Sequence, residues 1–389
     1  MMVKNIRLRE IYATNSKKTL ELEIETEKGK VRSSVPIGTS KGTYEVAYLN
    51  TEEAKKKFLF IKNKFLLQNF KTQEEVDNFL HSIDPSEKFK EIGGNLALAI
   101  SSAFLKAFAQ QNNQEIFEFL SKGKKVELPR PICNIVGFKG YRDIEEYLLL
   151  PVHQISFREN IEKIMQAYFK IAEMIKQKDP SFNFTKDLES AWFTRLPMND
   201  ILKILTKVAN ELLLKIGLDF AASQMWDEKQ YYVYSNNNFV FSSQEQLDFI
   251  TNLAKKFPII YLEDPFHEND FISFSVATRQ LAPKMICGDD LLATNTKRLK
   301  GAIEMKSINA AIVKPNQIGT ITDVINFVKL AKENKIFTIM SHRSGETEDT
   351  LICHLAVGLG CDYIKIGTSG DRIVKINEMI RIEELLQNI

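Results

Sequence analysis

IIYLED (259–264), MICGDD (285–290) and AAIVK (310–314) are three short, mostly apolar runs, each ending in an acidic or basic side chain, within a chain of 389 residues. A brief apolar run bounded by a charge is the pattern of a strand buried on both faces, as strands in a parallel sheet are. Runs of the same kind lie on either side, at 132–136, 147–152, 215–219, 337–342 and 363–367. Amphipathic segments separate most of them. Leu247, Ile250, Ala254 and Phe257 share one helical face, and Ile321, Val324, Ile325 and Val328 follow Thr320, a helix cap with Asp323 three residues on. Eight buried strands alternating with helices predict a closed, parallel-type β/α barrel.

The charged ends of these strands place the chemistry. From Asp219 through Glu263, Asp289, Lys314, His342 and Lys365 the successive intervals are 44, 26, 25, 28 and 23 residues. After the first, each interval is the length of one strand plus one helix. In a barrel such ends meet at one mouth, so side chains distant in sequence become neighbours. Asp219, Glu263 and Asp289 would then crowd three negative charges into a poorly solvated space, which is strongly unfavourable without a cation among them. Ligands that are all oxygen point to magnesium. One such acid alone reads better as a solvated strand end or a cap; three on consecutive units do not. Lys314 and Lys365 add two ammonium groups beside this cation. Mutual repulsion and the cation lower their pKa while the carboxylates oppose, so one lysine is expected to be neutral and to serve as a base. The competing reading is a pair of ion-paired lysines with a purely structural duty.

The front of the chain has a different pattern. Leu20, Leu22 and Ile24 alternate with Glu21, Glu23 and Glu25 before Lys28-Gly29 and a second run at 31–35, a hairpin with one buried face. Helical stretches follow at 52–67, 72–82 and 94–110, the last with small residues Ala97, Ala99, Ser101, Ser102 and Ala103 that allow close packing. Two domains are therefore expected, an α+β unit over 1–127 and the barrel over 128–389.

Composition excludes other classes. With 44% hydrophobic and 26% charged residues and a net charge of +2, the chain has an ordinary globular balance and no basic face for a nucleic acid. The longest apolar stretch, 96–108, is too short and too interrupted to span a bilayer. Residues 1–10 carry Lys4, Arg7, Arg9 and Glu10 with no apolar run, unlike a secretory signal, so a cytoplasmic location is expected. Cys133, Cys287, Cys353 and Cys361 stand singly in apolar segments, which reads as reduced, buried thiols rather than a zinc site.

The stretch Ser341-His342-Arg343-Ser344-Gly345-Glu346-Thr347-Glu348-Asp349-Thr350 resembles, residue for residue, the SHRSGETEDT signature of the enolase (phosphopyruvate hydratase) family. KIGLD (215–219), LEDPF (262–266), DDL (289–291), KPNQIGT (314–320), RIEEL (381–385) and the segment 29–45 support it, and the similarity covers nearly the whole chain. The resemblance implies an α/β fold, the enolase-type β/α barrel of eight strands with an N-terminal α+β domain. It also implies a magnesium-dependent lyase of glycolysis that interconverts 2-phosphoglycerate and phosphoenolpyruvate, with two Mg²⁺ per site, assembled as a homodimer or a higher homo-oligomer. Carried over by position, it assigns Asp219, Glu263 and Asp289 to the first Mg²⁺ and Ser40, in the loop 38–42, to the second. It makes Lys314 the base at C2, gives the substrate carboxylate to Lys365 and the phosphate to Arg343 and Ser344, and has His342 line the same pocket. Glu146 matches the first of two glutamates that serve the departing hydroxyl; neighbouring Glu145 is expected to turn to the opposite face of the strand.

Three segments depart from the family. The loop 137–142, GFKGYR, is short and lacks the family's histidine; the segment 367–372 is also shortened. Where the family has GDEGG, this chain has KDLES at 186–190. Direct alignment sets Leu188 on the second catalytic glutamate, and a shift of one residue would bring in Glu189. These departures leave three readings open: an active lyase with reduced turnover, a catalytically impaired paralogue retained as a binding protein, or an enzyme abstracting a proton from another carboxylate substrate.

Overall fold

The computed structural model describes residues 2–38, 42–138, 143–153, 155–227, 229–234 and 239–387. Its N-terminal part is an antiparallel sheet of β1 (Asn5–Tyr12), β2 (Lys18–Thr26) and β3 (Gly29–Ser34) in that order. The predicted hairpin is β2–β3; β1, whose alternation is weaker, adds a third strand. Helices α1 (Thr51–Leu66), α2 (Gln73–Ile83), α3 (Gly94–Gln111) and α4 (Ile116–Ser121) follow. Leu20, Leu22 and Ile24 are fully buried, and α3, apolar around nearly its whole circumference, packs on β2 and β3. Each such side chain withdrawn from water stabilises the fold by about 1.5–3 kcal/mol.

The second part is a closed barrel. Its strands are β4 (Arg130–Gly137), β5 (Glu146–Pro151), β6 (Leu214–Asp219), β9 (Ile259–Glu263), β10 (Met285–Gly288), β11 (Ala310–Val313), β12 (Phe337–Ser341) and β13 (Tyr363–Lys365). A short hairpin of β7 (Tyr232–Tyr234) and β8 (Phe239–Phe241) is inserted between β6 and β9 and accounts for the long first interval. The outer helices are α5 (Phe157–Lys178), α6 (Met198–Leu212), α7 (Ser243–Lys256), α8 (Phe271–Gln280), α9 (Thr296–Glu304), α10 (Pro315–Ile318), α11 (Ile321–Glu333), α12 (Leu351–Gly358) and α13 (Ile373–Gln387). Thr320 caps α11 as expected, accepting a hydrogen bond from the Asp323 amide. All eight predicted runs are barrel strands, and inward side chains such as Ile132, Leu148, Tyr261, Cys287, Ile312 and Ile339 fill the interior.

One strand departs from the parallel expectation. Around the barrel the order is β10-β11-β12-β13-β4-β5-β6-β9, and β5 is antiparallel to both β4 and β6 while the other neighbours are parallel. Only residues 138–145 link β4 to β5, too few for a crossover helix, so the chain must reverse direction there. The consequence is functional: the first residue of β5, not its last, lies at the C-terminal mouth.

The stretch 341–350 is the seam between the two parts. Ile37 exchanges backbone hydrogen bonds with Gly345, at 2.7 and 2.9 Å. Asp349 accepts from the Ser34 amide at 2.8 Å and is paired with Lys106 of α3 at 2.7 Å. These bonds hold the N-terminal sheet over the barrel mouth. All four cysteines are free and buried.

Candidate active site

Asp219, Glu263 and Asp289 lie at or just past the ends of β6, β9 and β10, three adjacent strands of the barrel. Lys314 follows β11, His342 follows β12 and Lys365 ends β13. Glu146 opens β5 and is paired in register with Asp219, which puts it at the same mouth. In the closed order β5 stands four strands from β11 in either direction, so Glu146 and Lys314 face one another across the barrel.

The mouth opens into a narrow cavity of about 50 Å³, lined by Glu146, Glu189, Asp219, Asp289, Lys314, His342, Arg343, Ser344 and Lys365. Glu263 is fully buried and does not itself line the cavity; its Oε2 accepts from Lys365 Nζ at 2.7 Å. Ser40 lies outside the described residues, as do 139–142 of the loop that lacks the histidine.

Charge is balanced here by ammonium groups. Lys365 Nζ lies 2.6 Å from Glu146 Oε2, 2.8 Å from Asp219 Oδ2 and 2.7 Å from Glu263 Oε2. Lys314 Nζ is paired with Asp289 Oδ2, whose other oxygen accepts from Gln317 Nε2 at 2.9 Å. Burial works against both ammonium ions, but the adjacent carboxylates outweigh it and hold Lys314 and Lys365 above the ordinary lysine value. The expectation of a neutral lysine is therefore not met while Lys314 rests on Asp289. Burial likewise raises Asp289, yet Lys314 prevails and holds it at about 2. Glu263 goes the other way, pushed up to about 8 by burial and the Asp219 charge. Burial also lifts Glu146 well above the carboxylate range, with Lys365 opposing and Glu189 and Asp219 adding to it.

Among the described residues no group of three or more His, Cys, Asp or Glu forms a ready-made metal cage. The donor set nevertheless fits a hard cation. Asp219, Glu263 and Asp289 offer only oxygen, and the buried Oε1 of Glu263 has no hydrogen-bond partner.

The turn at 187–191 answers the question of register. Leu188 is 57% exposed, whereas Glu189 is buried, lines the cavity and places Oε2 3.5 Å from His342 Nε2. The turn is the tip of a small hairpin: the Asp187 amide donates to Ala191 O at 2.9 Å, and the Trp192 amide donates to Ile135 O of β4 at 2.9 Å. Asp187 Oδ1 accepts from the amides of Glu189 and Ala191, at 2.9 and 3.0 Å. Gly137 permits this arrangement, because a side chain there would meet Asp187 Oδ2 at 2.0 Å. An Asx turn anchored on β4 thus takes the place of a glycine-rich one.

Burial, reinforced by Arg372, lowers His342 to about 4 and keeps it neutral near pH 7. Arg343 is buried with Nη1 3.1 Å from Glu45 Oε1, and its backbone amide donates to Glu346 Oε1 at 2.7 Å. Arg372 Nη2 donates to Ser344 O at 2.9 Å.

Glu145 corrects another expectation. It precedes the first residue of β5, so strict alternation does not govern it; it lines the cavity and accepts from Gln224 Nε2 at 2.8 Å. Sequence reasoning also passed over Glu45, Gln317 and Asp264. Asp264, at φ +39°, accepts from the amides of Asp289 and Asp290 at 3.0 and 2.6 Å and so orients the Asp289 loop. Nothing in a linear pattern separates such residues from solvated ones; the signal for Asp264 was its place beside Glu263.

An α+β domain clamped over a β/α barrel whose mouth gathers acids and lysines defines a barrel enzyme acting on a small anionic substrate. The family description "Enolase, N-terminal domain" matches residues 3–120, and "Enolase, C-terminal TIM barrel domain" matches residues 125–389. The chain is 36% identical over 405 residues to the enolase of Methanosphaera stadtmanae, covering 100% of this chain and 98% of that protein. It is 35% identical over 401 residues to the enolase of Methanothermobacter thermautotrophicus, with 98% and 96% covered, and 32% over 397 residues to that of Archaeoglobus fulgidus, with 99% and 98% covered. The chain belongs to the enolase family.

Proposed function

We propose that this chain is a lyase, a phosphopyruvate hydratase that interconverts 2-phosphoglycerate and phosphoenolpyruvate in glycolysis. The observation that carries the reading is the placement of Lys314 and Glu146 on opposite sides of one carboxylate-lined cavity, with Glu189 beside Glu146. Dehydration needs a base at C2 and an acid at the C3 hydroxyl, and two groups facing each other across the substrate supply both.

Asp219, Glu263 and Asp289 would hold Mg²⁺, and Ser40 a second ion. Bound there, the cation stabilises negative charge developing on the substrate carboxylate as the C2 proton leaves. Lys314, once Asp289 no longer holds it as an ammonium and its own proton has passed to solvent, takes the C2 proton as a neutral amine. Lys365 pairs with the substrate carboxylate. Arg343 offers a fork of donors to the phosphate, with Ser344 adding a hydroxyl. Neutral His342 lines the same pocket and can accept or donate a hydrogen bond without adding charge. Glu146 and Glu189 face the hydroxyl that departs as water. Glu189 lines the cavity where direct alignment, with Leu188, leaves no acid, and this favours a working lyase over a non-catalytic paralogue. A homodimer or larger homo-oligomer and a cytoplasmic location complete the reading; among the described residues no helix is long and apolar enough to cross a membrane.

The test is the absorbance of phosphoenolpyruvate formed from 2-phosphoglycerate with Mg²⁺, in the parent, Lys314→Ala and Glu189→Gln. No turnover in the parent would overturn the reading.

A further inference from the structure

Two of the segments that depart from the family, 186–190 and 367–372, are in direct contact. Ser190 sits at φ +65°, a left-handed conformation that is unfavourable for a non-glycine residue. It persists only if its surroundings impose it. They do so through its carbonyl, which accepts from Tyr168 Oη at 2.7 Å and from Ser369 Oγ at 3.1 Å. The two donors are themselves 3.0 Å apart, and Lys186 Nζ donates to Ser369 Oγ at 3.1 Å. Tyr168 is rigid: its ring stacks on Trp192 at 4.4 Å between centroids, and Trp192 Nε1 donates to Tyr168 O at 2.9 Å. Gly370, at φ +64°, lets the 367–372 segment approach, since a side chain there would meet Ser190 Oγ at 2.4 Å. Glu189 is the residue immediately before this clamped peptide.

We infer that Tyr168 and Ser369 are positioning residues which, by gripping the Ser190 carbonyl, hold Glu189 against the cavity in place of the glycines this turn lacks. The inference rests on the role proposed for Glu189 and extends it to residues outside the cavity. Neither Tyr168 nor Ser369 lines the site, so neither touches substrate; they act through the backbone of the turn. Shortening of 367–372 and loss of the glycines are then two halves of one change: the shorter segment brings Ser369 to the carbonyl that the non-glycine turn presents.

The experiment uses the full chain with Mg²⁺ and 2-phosphoglycerate, comparing Tyr168→Phe, Ser369→Ala and the double variant, each also in a Glu189→Gln background. Two rates are read: formation of phosphoenolpyruvate, and exchange of the C2 hydrogen with solvent, which needs the base but not the acid. Dehydration kcat is expected to fall about tenfold in the double variant, with KM and C2 exchange changed less than about twofold. In the Glu189→Gln background the same substitutions are expected to add nothing. Equal losses in exchange and dehydration, no loss at all, or the full loss repeated in the Glu189→Gln background would each overturn the positioning role. If the double variant fails to fold, Ser369→Ala alone, which removes one hydroxyl, decides by the same criteria. If Glu189→Gln itself dehydrates normally, the role of Glu189 is wrong and this inference falls with it; if it is impaired while the clamp variants are not, only the clamp is wrong.

Discussion

Glu189 Oε2 lies 3.5 Å from His342 Nε2, with both side chains 4% exposed. Direct alignment offers Leu188 for this position, and the fold selects its neighbour, because the Asx turn at 187–191 aims one side chain inward and the previous one at solvent. Glu189→Gln is therefore expected to lower phosphoenolpyruvate formation by about 10²-fold or more, the usual worth of a positioned proton donor. Leu188→Gln should stay within about twofold of the parent on the same argument from exposure. The coupled absorbance assay distinguishes them, and equal losses would mean that Glu189 is structural.

Lys314 makes an equally sharp prediction. Lys314→Ala should abolish both C2 hydrogen exchange and dehydration, each by about 10³-fold or more, since the other lysine of the cavity, Lys365, is held among Glu146, Asp219 and Glu263. Retained exchange, read by proton NMR in heavy water, would move the base elsewhere.

Metal binding has a thermal signature. Mg²⁺ at a hundred times its Kd stabilises the folded chain by about 2.7 kcal/mol. For a chain of this size that is roughly 3 °C in Tm. Asp289→Asn should remove most of the shift, and a chelator should reverse it in the parent. A Tm indifferent to Mg²⁺ by scanning calorimetry would contradict the assignment of Asp219, Glu263 and Asp289.

A pH effect is expected far from the site. His81 of α2 is hydrogen-bonded to Asp323 of α11 at 2.9 Å, joining the two domains, and that bond, with burial opposing and the charge of Asp323 adding, raises its pKa. A raised folded value means that stability is fully present below the unfolded value of about 6.5 and is lost as pH rises through the folded one. The side chain is 41% exposed, so solvent screening keeps the effect below about 1 kcal/mol. Urea unfolding at pH 6 and pH 8.5 should show the parent losing stability with rising pH and His81→Gln losing none; parallel curves would exclude the pair.

Much of the molecule was legible beforehand, for identifiable reasons. Buried parallel strands must be apolar along their length, so the runs ending at Glu263, Gly288 and Val313 announced themselves. Their regular spacing, together with the stretch 341–350, was enough to place Asp219, Asp289, Lys314, His342 and Lys365 in one mouth. The antiparallel course of β5 was not readable, because a doubly buried strand has the same composition in either direction. That is why the place of Glu146 rested on resemblance rather than on spacing.

What the chain determined by itself was the set of strands and helices and the residue types at their ends, since periodicity and local caps are properties of neighbours in sequence. Only the tertiary structure decided which charges meet: Lys365 among Glu146, Asp219 and Glu263, Lys314 on Asp289, and Glu189 rather than Leu188 in the cavity. Those pairings depend on strand direction and on contacts between segments nearly two hundred residues apart, such as Ser190 with Ser369. Coulomb energy and burial act on distances in space, and the linear order of the residues does not contain them.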